Sequence, residues 1–203
     1  MNTIRSVCVY CGSSPGRGER YLDAARDLGA SLAAANMRLV YGGGAKGIMG
    51  AVANATLRAG GKVTGIIPRF LISKEATETA ITRFDELIVT EDMHQRKHTM
   101  FEKSDAFVAL PGGIGTVEEI VEIMTWAQLG HHRKPIVFAN IDGFWNPMLA
   151  MLDHMRAEGF IHTGHLVQPI VVERAAEIVA AITVAATADG TPSEGDSSVI
   201  DKL

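Results

Sequence analysis

Residues 105–120 read DAFVALPGGIGTVEEI. The first six form a short apolar run, the next six hold three glycines and a threonine, and two carboxylates follow at once. An apolar run of this length bounded by glycine predicts a strand buried on both faces, here Asp105–Leu110. The hydrophobic spacing after the glycines predicts a helix over Thr116–Leu129. A strand, a glycine loop and a helix in that order make one βα unit. Such a loop either serves close packing alone or brings bare backbone N–H groups up to an anion. It is not a P-loop, because no Gly-Lys-Ser/Thr follows. Nor is it the common dinucleotide fingerprint, because the spacing is GGxG and not GxGxxG.

The same alternation extends along the chain in both directions. Strands are expected at Ser6–Tyr10, Met37–Tyr41, Val63–Ile67, Glu86–Thr90, Pro135–Ala139 and Val167–Val172. Helices are expected at Arg20–Ala35, Ile48–Ala59, Asp92–Lys103, Asn146–Glu158 and Arg174–Ala186. Residues 69–83 are irregular and polar. Strands alternating with helices imply an α/β fold, a doubly wound Rossmann-like parallel sheet covered on both faces. Residues 1–186 read as one domain. Residues 187–203, TADGTPSEGDSSVIDKL, are small and polar and are expected to form a disordered tail.

Composition narrows the function classes. The 203 residues are 47% hydrophobic and 21% charged, which suits a globular protein with a sizeable core. The formal net charge of −4 argues against a nucleic-acid-binding surface. No apolar run approaches the roughly 20 residues of a membrane helix, and the N-terminal segment does not read as a signal peptide. A cytoplasmic location is expected. Cys8 and Cys11 form a CxxC, but Cys8 falls inside a strand, so a buried thiol is expected rather than a redox pair.

Glycine clusters follow three of the expected strands: Cys11-Gly12-Ser13-Ser14, Gly42-Gly43-Gly44 and Pro111–Thr116. Ligands of such sheets bind beyond the carboxyl ends of the strands, so the three loops should converge on one crevice. Thr116 adds a hydroxyl donor for a phosphate monoester. Glu118, Glu119 and Glu122 are explained either by the preference of acids for a helix N-terminus or by function. Glu119 lies four residues beyond Gly115 and on its face, at a distance that resembles the span from a nucleotide's 5′-phosphate to its C1′. Arg96 and Lys97, in EDMHQRKHTM (91–100), form either a solvated basic face or a guanidinium aimed into the crevice. His94 and His98 stand at i, i+4, but Gln95 follows His94 where a zincin needs glutamate, and no metal site is expected. His131-His132 is expected in a surface loop.

Together these stretches resemble the LONELY GUY (LOG) family of cytokinin riboside 5′-monophosphate phosphoribohydrolases. The matching segments are VCVYCGSS (7–14), LVYGGG (39–44), GIMGAVA (47–53), GIIPRFL (65–71), MHQRK (93–97), DAFVALPGGIGTVEEI (105–120), TWAQLG (125–130) and KPIVFANIDGFWN (134–146). The resemblance implies hydrolysis of the N-glycosidic bond of N6-modified adenosine 5′-monophosphates by a homodimer that needs no cofactor. It implies Arg96 and Glu119 as the catalytic pair. It implies substrate contacts from Glu78, Met93, Lys97, Gly112, Gly113, Ile114, Gly115, Thr116 and Thr125, with Ser14 and Gly43 in the other glycine loops. Two rival readings are a broader purine nucleoside-5′-monophosphate nucleosidase and a non-catalytic carrier resembling molybdenum-cofactor carriers. A lysine decarboxylase, a label some relatives have carried, would need a pyridoxal-phosphate lysine in a dedicated fold.

Overall fold

In a computed structural model of the chain, residues 3–75, 83–161 and 168–188 are described. Seven parallel strands form one sheet: β1 (Ser6–Tyr10), β2 (Arg38–Tyr41), β3 (Val63–Pro68), β4 (Glu86–Thr90), β5 (Ala106–Ala109), β6 (Ile136–Ala139) and β7 (Ile170–Val172). Their order is β4-β3-β2-β1-β5-β6-β7. The helices among the described residues are α1 (Arg20–Ala34), α2 (Gly47–Arg58), the single turn α3 (Ile72–Glu75), α4 (Met93–Glu102), α5 (Ile114–Gln128), α6 (Asn146–Ala157) and α7 (Ile178–Ala188). None of them is long and apolar enough to cross a membrane.

Alternation along the strands feeds two cores. On one face Val7, Val9, Leu39 and Tyr41 pack with Leu28 and Leu32 of α1, Val52 of α2 and Ile182 of α7. On the other, Cys8, Tyr10 and Val40 pack with Met100 and Phe101 of α4, Ile120 and Ile123 of α5 and Leu152 of α6. Leu28 and Leu32 are fully buried, and each such side chain contributes about 1.5–3 kcal/mol of burial free energy. Cys8 and Cys11 belong to opposite cores and both are free thiols.

The chain departs from β1 toward β2 on one side, whereas β5 leads to β6 on the other. The loops after β1 and β5 therefore diverge and open a crevice between them. To travel from β4, at one sheet edge, to β5 in the middle, the chain crosses behind three strands. The helix that makes this crossing is α4, which brings Arg96 to the carboxyl end of β2.

Element boundaries moved where glycine is helical or where the last turn tightens. Helix α5 starts at Ile114, two residues before the expected Thr116, so Gly115 lies in its first turn. The expected helix 174–186 is a 3₁₀ turn, Ala175–Glu177, followed by α7. That helix runs to Ala188, two residues into the segment expected as a tail, and residues 189–203 lie outside the described residues.

Candidate active site

The loop between β5 and α5 carries glycines of two kinds. At Gly112 a Cβ would lie 2.1 Å from Oγ1 of Thr116 and 2.9 Å from the backbone N of Gly12. Gly112 is therefore required by packing. At Gly113 and Gly115 a Cβ would meet nothing within 4 Å, and neither residue has positive φ. Packing and backbone conformation account for Gly112 but leave Gly113 and Gly115 unexplained. The helix they open has no side-chain cap, because its N-cap is Gly113 itself. Val117 N bonds back to Gly113 O, while among the described residues no other backbone group takes up the amides of Ile114, Gly115 and Thr116. The N–H groups of the exposed residues Ile114 and Gly115 and the positive end of a helix dipole thus face outward, with the amide of the buried Thr116 behind them.

The other glycine loops lock against this one. Gly12 N donates to Pro111 O at 3.1 Å, and Gly12 O accepts from Ile48 N and Met49 N at the start of α2. A cleft of about 290 Å³ lies between them, lined by Gly12, Ser13, Ser14, Pro111, Gly112 and Gly113 on one side and by Tyr21, Ile48 and Phe144 on the other. Gly43 is buried with φ +75°, a conformation that favours glycine in the turn after β2.

Arg96 occupies the second turn of α4. Asp92 caps this helix, its Oδ1 accepting from Gln95 N at 2.8 Å. The Arg96 side chain is only 6% exposed. Its Nη2 donates to Gly42 O at 3.2 Å, its Nη1 lies 3.7 Å from Sδ of Met93, and its buried Nε has no partner among the described residues. Gly42 makes this position available, since a Cβ there would fall 1.9 Å from Nη2. A buried guanidinium costs several kcal/mol unless negative charge lies near it. The reading of Arg96 as part of a solvated basic face is thereby corrected.

Glu119 is half-buried in the second turn of α5. Its charge reaches the carboxyl end of β1. The Cys8 thiol is pushed far up, chiefly by burial and further by Glu119, with Arg96 opposing. Burial likewise raises Tyr10 and Cys11, and Glu119 adds to both. One carboxylate and one guanidinium from different helices therefore act on the same thiol. Neither cysteine has thiolate character, as expected for a structural pair.

Lys97 points the other way from Arg96. Its Nζ donates to Glu118 Oε1 at 2.6 Å and to Glu122 Oε1 at 3.1 Å. Burial draws its pKa down, but hydrogen bonds to the two glutamates outweigh that, and the net shift is upward.

The remaining expected residues divide. Met93, Ile114, Thr116 and Ser14 border the crevice or its helices. Thr125 does not join them. It is exposed, its Oγ1 donates to Val121 O, and it lines a separate apolar groove of about 210 Å³ with Val121, Met124, Leu152, Met155 and Phe160. Glu78 lies outside the described residues. His132 is corrected: it is buried, with Nε2 3.0 Å from Ile123 O and Nδ1 accepting from Lys134 N, so it pins α5 to the following loop. Gly42 was read only as a member of its glycine cluster, and Glu122 only as one of three acids in the first turns of its helix. The signal for Gly42 was its place directly after Tyr41, the last residue of β2.

Residues 49–182 match the family model described as "Possible lysine decarboxylase". Over 158 residues the chain is 50% identical to a cytokinin riboside 5′-monophosphate phosphoribohydrolase of Arabidopsis thaliana, covering 78% of this chain and 68% of that one. Over 160 residues it is 48% identical to the cytokinin riboside 5′-monophosphate phosphoribohydrolase of Rhodococcoides fascians, covering 78% and 79%. Among solved structures, a molybdenum cofactor carrier protein from Chlamydomonas reinhardtii superposes with a TM-score of 0.65 at 20% identity, covering 91% of this chain and 99% of that one. At that identity the likeness speaks for the fold alone.

Proposed function

This chain belongs to the LONELY GUY (LOG) family, and on that premise we propose that it is a nucleoside 5′-monophosphate phosphoribohydrolase. It cleaves the N-glycosidic bond of adenosine 5′-monophosphates, above all those substituted at N6. The products are the free base, a cytokinin where the substituent is of that type, and ribose 5-phosphate. The observation that carries the reading is the pair Gly113 and Gly115, bare of neighbours at an uncapped helix start and one turn before Glu119.

In this mechanism the 5′-phosphate docks on the amides of the first turn of α5, with Thr116 adding its hydroxyl. Anchoring the anion places C1′ of the ribose over Glu119, and binding energy from the unreacting end positions the bond to be broken. As the C1′–N9 bond lengthens, positive charge builds on the ribose. Glu119 stabilises that charge and takes the proton of the attacking water. Arg96 offers a rigid, permanently charged fork for the ribose oxygens and for Glu119. The leaving base takes up one proton, balanced by the one Glu119 removes from the water, and the hydroxyl ends on C1′. Decarboxylation, named in the family model's description, asks for a lysine that readily loses its proton. Lys97, the lysine at this site, is held charged by two glutamates.

A homodimer is part of the proposal. The groove holding Thr125 is lined by Val121, Met155 and Phe160, all exposed, and a second copy would cover them.

The test is a panel of AMP, N6-isopentenyl-AMP, GMP and the matching nucleosides, with released base measured. Nucleotides should react and nucleosides should react poorly. Glu119→Gln should keep nucleotide affinity and lose most turnover. Near-normal base release by that variant would remove Glu119 from catalysis, and equal rates with nucleosides would remove the phosphate anchor. Release of guanine as fast as of the adenine bases would widen the substrate class to purine nucleotides.

A further inference from the structure

Helices α4 and α5 supply Arg96 and Glu119, and the seam between these helices has two rungs. Near the crevice, Lys97 reaches Glu118 and Glu122 of α5. One turn further along both helices, Phe101 meets Trp126 edge-on with centroids 4.9 Å apart. From 97 to 101 on α4 and from 122 to 126 on α5 the step is the same four residues, about 6 Å of helix. The two rungs therefore run side by side, one ionic and one aromatic. The Lys97 side chain is 12% exposed and Glu122 26%, so this bridge is shielded from water more than an ordinary surface pair. Glu118 and Glu122 flank Glu119, and Lys97 follows Arg96 directly. Each end of the bridge is thus covalently next to, or within one turn of, a group assigned to the reaction.

We propose that Lys97 is a positioning residue: by bridging Glu118 and Glu122 it fixes the spacing between Arg96 and Glu119 across the sugar. This rests on the reading of those two groups given above. Its Nζ is turned to α5, where two carboxylates occupy it, and its work is done through the neighbours on either side. Removing the bridge leaves the aromatic rung as a pivot. The site end of the seam then opens, and three carboxylates within two turns of α5 are left with no lysine among them. Substrate anchoring by the glycine loop is untouched, since α5 keeps its first turn. The loss should fall on kcat and not on KM.

The experiment uses the full chain with N6-isopentenyl-AMP and AMP. Lys97→Met should lower kcat about tenfold or more while KM stays within about twofold. Lys97→Arg, which can still span two carboxylates, should restore most of the rate. The pair Glu118→Gln with Glu122→Gln should lower kcat in the same way, and adding Lys97→Met to that pair should cost little more. If Lys97→Met does not fold, Glu122→Gln alone, which leaves Lys97 one partner, must still show the kcat loss at constant KM. A rise in KM at constant kcat, or full additivity with the glutamate changes, would make Lys97 a substrate contact and overturn the proposal. Wild-type kinetics in Lys97→Met would overturn it too. Glu119→Gln in the same assay keeps the two readings apart. An active Glu119→Gln removes the reaction itself, whereas an inactive one beside a normal Lys97→Met removes only the bridge.

Discussion

Replacing Gly42 by alanine would place a methyl carbon 1.9 Å from Nη2 of Arg96 and 3.1 Å from its Cζ. Contact between such atoms is comfortable at about 3.5 Å, so the guanidinium must retreat by roughly 1.6 Å. That movement breaks the 3.2 Å hydrogen bond from Nη2 to Gly42 O, an interaction of a charged donor that contributes about 1.5–3 kcal/mol. Gly42 does not have positive φ, so alanine fits the backbone and the fold should persist. A reacting group displaced by about 1 Å can cost on the order of 100-fold in rate, equivalent to about 2.7 kcal/mol of barrier. Gly42→Ala should therefore lose about two orders of magnitude in kcat and, from the broken hydrogen bond, about 3–12 °C in melting temperature, while remaining folded at assay temperature. The assay is chromatographic release of free base from N6-isopentenyl-AMP, with circular dichroism melts on the same samples. Wild-type turnover in a folded Gly42→Ala protein would show that the seating of Arg96 against Gly42 has no part in catalysis.

Gly113→Ala introduces a methyl group into open space. It should leave the fold intact and raise KM for nucleotides about tenfold by obstructing the phosphate, and an unchanged KM would put the anion elsewhere. Tyr41→Phe removes a buried hydroxyl that has no partner among the described residues. It should stabilise the protein by about 1 kcal/mol, a rise of about 2–4 °C in melting temperature; a fall would reveal that the hydroxyl is bonded. Burial holds the His132 imidazole below its ordinary pKa of 6.5, so the fold favours the neutral ring. Its contribution is intact above about pH 6.5 and is lost as the pH falls below that value toward the folded-state pKa. Wild type should lose more stability than His132→Gln between about pH 7.5 and pH 5.5, and parallel losses would refute the assignment.

Periodicity and glycine placement were enough to read the sheet. Strands such as Val7–Tyr10 are apolar on every residue because both faces are covered, and a parallel doubly wound sheet is the arrangement that demands this. The crevice could be read for the same reason, since glycine loops follow β1, β2 and β5 at their carboxyl ends. Local pattern could not reveal what α4 does. Its sequence, MHQRKHTMFE, is polar on most positions, and the choice between a solvated face and a buried guanidinium depends on which strand it crosses. Strand order, a nonlocal property, brings Gly42 under Arg96. The destination of Lys97 was hidden likewise, because Glu118 and Glu122 belong to a different βα unit. His132 was misread from its neighbours: Gly130, His131 and Arg133 look like a turn, whereas the Ile123 carbonyl, the Lys134 amide and the rings of Phe101 and Phe107 hold the imidazole inside.

The strand order also divides the molecule into two consecutive stretches of chain. Strands β1 to β4 with α1 to α4 come first, and β5 to β7 with α5 to α7 follow, joined in the sheet by the single pairing of β1 with β5. Arg96 and Gly42 come from the earlier stretch, Glu119 and the bare glycines from the later one. With the roles proposed for Arg96 and Glu119, turnover would be a property of the join, owned by neither half. Parting β1 from β5 would separate those groups, even where much of the helix and strand on either side persisted. Activity would then be a more sensitive gauge of the intact molecule than any spectroscopic measure of helix or sheet.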